Sequence, residues 1–133
     1  MVTTIFTDHG FHVIDEPKGI IYEVIPHQSI TIIHPGGVKI MLTPSMISLS
    51  EYHSEEATFH DLGSLLRSEE GKESRPPLTT KDYSLTFHPR RVVYLDYDLD
   101  LQEEWTFEEC ELIDLTSNTH STIYLDGRLL LNE

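Results

Sequence analysis

Apolar and polar positions alternate along much of the chain, and the clearest run is YLDYDLDLQEEW, Tyr94 to Trp105. Successive side chains of an extended chain point to opposite faces. Val93, Leu95, Tyr97, Leu99 and Leu101 then line one side of a long strand, Val92 to Leu101, and Asp96, Asp98 and Asp100 line the other. A helix would scatter these residues, because its apolar stripe recurs every three to four positions. Elsewhere, short stretches rich in Ile, Val, Tyr and Phe are separated by turn chemistry, which predicts antiparallel hairpins rather than β-α-β units. Phe11 to Ile14 and Gly19 to Ile25 flank Asp15-Glu16-Pro17-Lys18, and Ser29 to Ile33 and Val38 to Leu42 flank His34-Pro35-Gly36-Gly37. Tyr83 to Phe87 leads through His88-Pro89-Arg90-Arg91 into the long strand. Thr122 to Leu125 and Arg128 to Leu131 flank Asp126-Gly127, a pair favoured in two-residue hairpin turns.

Three stretches read differently. From Ser54 to Gly71, Phe59, Leu62, Leu65 and Leu66 recur at helical spacing, with Ser54 or Thr58 as cap and Gly71 as stop, which predicts one short amphipathic helix. Residues 67–81 turn to Glu, Lys, Ser, Arg, Pro and Thr, offer little to bury, and are expected to form a mobile loop. Gln102 to Leu115 fits neither period cleanly. A strand pairing back on Val92 to Leu101 is expected there, because Glu111 to Leu115 recovers an alternation, with a helix over Gln102 to Cys110 as the competitor. The expected architecture is all-β: one domain over 1–133, an antiparallel β-sandwich or partly open barrel of about eight strands with one short helix.

Composition narrows the partners. The 133 residues suit one ordinary core. With 23 acids against 9 Lys plus Arg, the formal charge is −14. Such a field repels nucleic acid and anionic membrane and attracts basic partners and cations. No apolar run approaches the roughly 20 residues that cross a bilayer. The single cysteine, Cys110, has no internal disulfide partner, and the first residues lack the basic-then-apolar pattern of a secretory leader. A reducing, cytoplasmic setting is expected.

Candidate chemistry is sparse. The HxH, HExxH and Cys-x-x-Cys patterns are absent. His53, Glu56 and His60 would share a helix face and could supply a two-histidine, one-carboxylate metal site. His9 with His12, and His27 with His34, fall at strand ends or turns and read as solvated. The paired histidines with later Glu and His that characterise cupin-like barrels do not occur. Cys110 lies among Glu108, Glu109 and Glu111, whose charges raise a thiol pKa and disfavour a nucleophile. GGVKI lacks the Lys-Ser/Thr step and helix of a phosphate loop, and GxSxG is absent. No catalytic residue is assigned and no cofactor is expected.

Asp96 to Asp114 holds nine acids and no Lys, Arg or His, more charge than solubility requires. Asp96, Asp98, Asp100, Glu103 and Glu104, with Trp105 beside them, are therefore the expected docking face for a basic protein surface, and the role a non-enzymatic inhibitor or binding module. In composition the chain resembles small acidic toxin-immunity and viral anti-defence proteins, which implies the same role. The alternatives are a small-ligand or metal-binding β-barrel, enzymatic or not, and a structural subunit of a homo-oligomer, suggested by the consecutive leucines of RLLLNE.

Overall fold

The computed structural model describes residues 2–53, 56–61, 78–79, 82–88 and 91–132, with side chains over 3–51, 82–88 and 91–130. The described residues form two seven-stranded antiparallel sheets, β1 to β7 and β8 to β14 in chain order, and within each sheet strands consecutive in sequence are paired. The first contains β1 (Val2–Phe6), β2 (Phe11–Asp15), β3 (Ile20–Ile25), β4 (Ser29–Ile33), β5 (Val38–Leu42), β6 (Ile47–His53) and β7 (Glu56–Asp61). The second contains β8 (Leu78–Thr79), β9 (Tyr83–His88), β10 (Arg91–Asp96), β11 (Leu101–Trp105), β12 (Glu109–Asp114), β13 (Thr119–Tyr124) and β14 (Leu129–Asn132). Alternation makes these strands half-buried: Ile20, Tyr22 and Val24 turn inward from β3, and Tyr83, Leu85 and Phe87 from β9. The inward rows of both sheets form one core. Fully buried members such as Ile20, Ile30, Ile40 and Leu85 each contribute about 1.5–3 kcal/mol.

A meander places alternate turns at opposite ends of the sheets, and each end has its own turn chemistry. At one end, Asp15, Asp96 and Asp114 close the β2–β3, β10–β11 and β12–β13 turns by accepting backbone N–H groups two or three residues ahead, at 2.9–3.4 Å. Each turn ends on a left-handed residue, Gly19 (φ 72), Asp100 (φ 53) or Asn118 (φ 57). Gly, Asp and Asn tolerate that conformation best. Lys18 ties this end across the sheets, donating to the Leu99 carbonyl and lying 3.5 Å from Asp114. Burial opposes ionisation of Asp114, but the N–H groups of Ser117 and Thr116 and the Lys18 ammonium outweigh it and hold the carboxyl below its usual range.

At the other end Asp126 caps the β13–β14 turn by accepting the Arg128 N–H at 3.0 Å, and three further turns are capped by hydroxyls. Thr7, Thr43 and Thr106 each accept a backbone N–H within the turn they open, and the His27 N–H joins the sheets by donating to the Leu125 carbonyl at 2.6 Å. Gly10 is required there, since a Cβ on it would fall 1.8 Å from the Val24 carbonyl oxygen.

The four expected hairpins form, with β14 beginning at Leu129. Several expectations are corrected. There are fourteen described strands rather than about eight, because β1, β6, β7 and β8 carry no strong turn pair to announce them. The described residues contain no helix: Glu56–Asp61, inside the expected helix, pairs as β7 with β6 from Ser48↔Asp61 to His53↔Glu56. An extended conformation there satisfies the hydrogen-bonding edge of β6, which helical spacing in the sequence does not register. The remainder of that segment, and of the expected loop 67–81 apart from β8, lies outside the described residues. The long strand Val92 to Leu101 is a hairpin broken at residues 97–100, since Asp96 caps a turn. Its facing is also inverted: Val92, Tyr94 and Asp96 turn inward. Leu101–Trp105, which overlaps the competing helix over Gln102 to Cys110, is the strand that pairs back on β10, and Glu109–Asp114 pairs with β11 instead.

Candidate functional site

β11 carries Leu101, Glu103 and Trp105 on its inward face, so strand parity drives one carboxylate into the core. Glu103 is 0% exposed. A buried carboxylate is tolerated only when its lone pairs are occupied, and three donors converge on this one. Trp105 Nε1–H donates to Oε1 at 2.9 Å, the Tyr22 hydroxyl donates to Oε2 at 3.3 Å, and His34 Nε2 lies 3.1 Å from Oε2 and 3.4 Å from Oε1. Trp105 is two residues along the same strand, whereas Tyr22 and His34 come from the opposite sheet. Glu103 is thus a polar bolt between the two sheets.

His34 opens the β4–β5 turn, where its backbone N–H donates to the Val38 carbonyl at 2.9 Å and Gly37 supplies a φ of 94°. Its ring continues the inward row of Ile30 and Ile32 and is 3% exposed. Because the Nε2 partner is a carboxylate, Nε2 carries a proton and Nδ1 is the nitrogen that titrates. Nδ1 is buried without a hydrogen-bond partner, and Asp96 Oδ2 lies 3.9 Å from it. Burial disfavours the imidazolium, but the Glu103 charge, its hydrogen bond and the Asp96 charge outweigh burial and raise the His34 pKa.

Asp96 completes the group. Its Oδ2 accepts the Tyr94 hydroxyl at 2.7 Å while Oδ1 caps the 97–100 turn. Burial, then the Asp96 bond and charge, push the Tyr94 phenol far up, so Tyr94 stays a donor. The Tyr94 ring stacks on Trp105 at 5.1 Å, meets His34 edge-on at 5.2 Å and lies 5.3 Å from Tyr83. The His34, Tyr83 and Tyr94 rings wall a cleft of about 680 Å³ at the aspartate-capped end, lined also by Glu51, Asp82, Asp98 and Leu99. The arrangement can hold or release a proton at one nitrogen of an imidazole whose other nitrogen is fixed, on the wall of a cleft rich in acids and aromatic rings.

The expected docking residues separate. Glu103 and Trp105 are fully buried, and Asp96 is 9% exposed on the wall of the cleft rather than on an outer face. Asp98 and Asp100 are exposed on the turn, and Glu104 lies half-buried on the outer face, 3.2 Å from Arg91. His34, read as solvated, is buried; its pairing with Glu103 crosses 69 residues of sequence, and no local pattern announces it. Glu103 did carry a signal, since the parity of Leu101 and Trp105 puts it on their face.

The metal candidates do not share a helix face. His53 and Glu56 are register partners beside the β6–β7 connection, and the His60 Cα lies about 13 Å along β7 from that of Glu56 at the usual strand rise. Among the described residues no group of three His, Cys, Asp or Glu could hold a metal ion. Cys110 is buried; burial first, then Glu103, Glu109 and Glu111, push its thiol up, so it is no ready nucleophile. Among the described residues, no helix is long and apolar enough to cross a membrane. Compared with known proteins, the chain matches no family model, no curated protein and no solved structure.

Proposed function

We propose that the protein is a small-ligand-binding β-sandwich whose site is the cleft walled by His34, Tyr83, Tyr94 and Asp96. The supporting observation is the buried His34, held at Nε2 by Glu103 and left without a partner at Nδ1, beside a cleft of ligand size. A structural imidazole normally has both nitrogens satisfied. The cleft's polar groups include four carboxylates, Glu51, Asp82, Asp96 and Asp98, which favour a neutral or cationic occupant bearing N–H or O–H donors and disfavour an anion. The aromatic walls suit the apolar body of such a molecule. The one cysteine, buried and unpaired, goes with a reducing cytoplasmic setting.

The test is a fragment screen read by protein NMR, with small amines, neutral polyols and matched carboxylates as probes. Amines or polyols should shift Val38, Tyr83 and Leu99 resonances, and His34→Gln should weaken those shifts. Preferential binding of the carboxylates, or shifts confined to other parts of the molecule, would overturn the reading.

A second reading, docking of a basic protein surface, keeps the support of exposed Asp98, which lines the same cleft, of exposed Asp100 in the same turn, and of the net charge of −14. On that reading, association with the partner slows when Asp98 and Asp100 are both replaced by Asn, and with added salt.

A further inference from the structure

The wall of the cleft carries two acceptor positions that the fold itself does not use, and they lie side by side. His34 Nε2 is taken by Glu103, while Nδ1, on a ring 3% exposed, has no hydrogen-bond partner among the described residues. On Asp96, Oδ1 accepts the Asp98 and Leu99 N–H groups, which fill its two lone pairs, and Oδ2 accepts the Tyr94 hydroxyl and keeps one lone pair. Nδ1 and this Oδ2 are 3.9 Å apart, and both residues line the cleft.

That separation is too long for a direct hydrogen bond and short enough for one atom to serve both acceptors. Two acceptors this far apart, each about 2.9 Å from a shared nitrogen, subtend roughly 85° there, which two N–H groups of one tetrahedral nitrogen reach with slightly bent bonds. A hydroxyl has one proton and satisfies only one of the pair. Charge narrows the donor further. Glu51 from β6, Asp82 ahead of β9, Asp96 from β10 and Asp98 from the turn after it face the cleft, and no Lys or Arg among the described residues lines it. Such a field favours a cation, and the Tyr83 and Tyr94 rings favour one again. Granted that the cleft is the ligand site, on which this step rests, we infer that it selects a primary ammonium, R–NH3+, whose nitrogen bridges His34 Nδ1 and Asp96 Oδ2 while its apolar chain lies against Val38 and Leu99.

Occupancy by this cation and protonation of His34 exclude each other. Nδ1 accepts from the ammonium only in the neutral imidazole, because Nε2 keeps its proton toward Glu103. Binding to the imidazolium form therefore expels the Nδ1 proton to solvent: R–NH3+ enters, H+ leaves, and the charge of the site is unchanged. The groups that govern this exchange come from every element packed on the ring. Glu103 of β11, which also accepts the Tyr22 hydroxyl of β3, holds Nε2; Asp96 and Tyr94 of β10 face Nδ1; and Glu51, Asp82 and Asp98 add their charge across the cleft. Burial pushes the Tyr22 and Tyr94 phenols far up, so both remain donors throughout. The His34 pKa lies above its ordinary value, which brings the exchange toward neutral pH.

The test is an NMR titration of the full chain from pH 5.5 to 8 with n-butylammonium, n-butyltrimethylammonium and n-butanol, read at Val38, Tyr83, Leu99 and the His34 nitrogens. The primary amine stays protonated over this range, as a lysine side chain does. It should bind most tightly, with an association constant that rises about tenfold per pH unit below the folded pKa of His34, one proton released per molecule bound, and levels off above it. The trimethyl probe, a cation without N–H donors, should bind at least about tenfold more weakly and with a shallower slope. His34→Gln, confirmed as folded by its far-UV spectrum, should bind n-butylammonium with no slope over the same range. Equal binding of the two cations, tighter binding of n-butanol, or a wild-type affinity that does not change with pH overturns the inference and leaves the cleft as a ligand site; absence of binding by all three probes overturns both.

Discussion

The two ends of the sheets use the same strands and differ in what closes them. At the end capped by Thr7, Thr43 and Thr106, those three turns close on neutral hydroxyls and on backbone bonds such as His27 to Leu125, and the carboxylate cap there, Asp126, is exposed and answered within its own turn by Arg128 Nε at 2.8 Å. At the end capped by Asp15, Asp96 and Asp114, each cap brings a carboxylate, and the charge must be answered. Lys18 answers at Asp114, Tyr94 at Asp96, and His34 lies between Asp96 and Glu103. The comparison teaches that a buried carboxylate cap such as Asp96, unlike a hydroxyl or the exposed Asp126, draws further buried polar groups around it and so sets where this β-protein can bind selectively.

Breaking the inter-sheet bolt has the largest expected effect. Glu103→Leu leaves the Trp105, Tyr22 and His34 donors buried and unmatched, and should lower unfolding free energy by about 3–5 kcal/mol in urea titrations. Asp96→Ala strands the Tyr94 hydroxyl and two backbone N–H groups and should cost about 2–3 kcal/mol. By contrast, Thr106→Val at the hydroxyl end removes one half-buried cap and should cost about 1 kcal/mol.

The pH dependence separates the ends further. The folded pKa of His34 is raised above its unfolded value of about 6.5. Its contribution is therefore fully present below pH 6.5 or so and is lost as pH rises through the folded value. His34→Gln should destabilise most at acid pH and progressively less toward alkaline pH, while Thr106→Val should show a pH-independent loss; both follow from urea midpoints over that range. Asn118→Gly, which relieves a left-handed backbone in the last aspartate-capped turn at the cost of unfolded-chain entropy, should shift stability by no more than about 0.5 kcal/mol.

Hairpins were legible wherever turn residues announced them, as at Asp15-Glu16-Pro17-Lys18-Gly19 and His34-Pro35-Gly36-Gly37. The recurrence of Asp, three residues, then Gly, Asp or Asn at 15–19, 96–100 and 114–118 is also in the sequence, and it marks the break in the apparent long strand at Asp96. Which face of β10 points inward was not decidable locally, because Val93 and Leu95 are as apolar as Val92 and Tyr94; packing of the second sheet settles it. The site itself needs Tyr22 and His34 from one sheet to meet Glu103 and Asp96 from the other, and sheet-on-sheet packing leaves no periodicity in the chain. The segment read as a helix failed where β6 offered a hydrogen-bonding edge, a non-local demand that outweighs side-chain spacing.

The measurement that tests the central claim most directly is a titration of the His34 imidazole nitrogens by 15N NMR from pH 5 to 9. The account predicts that Nε2 stays protonated throughout while Nδ1 titrates with a midpoint above about 6.5. A ring protonated at Nδ1 alone in its neutral form, or a midpoint below that value, would show that Glu103 does not hold His34 and that the cleft lacks the proton-exchanging wall proposed for it.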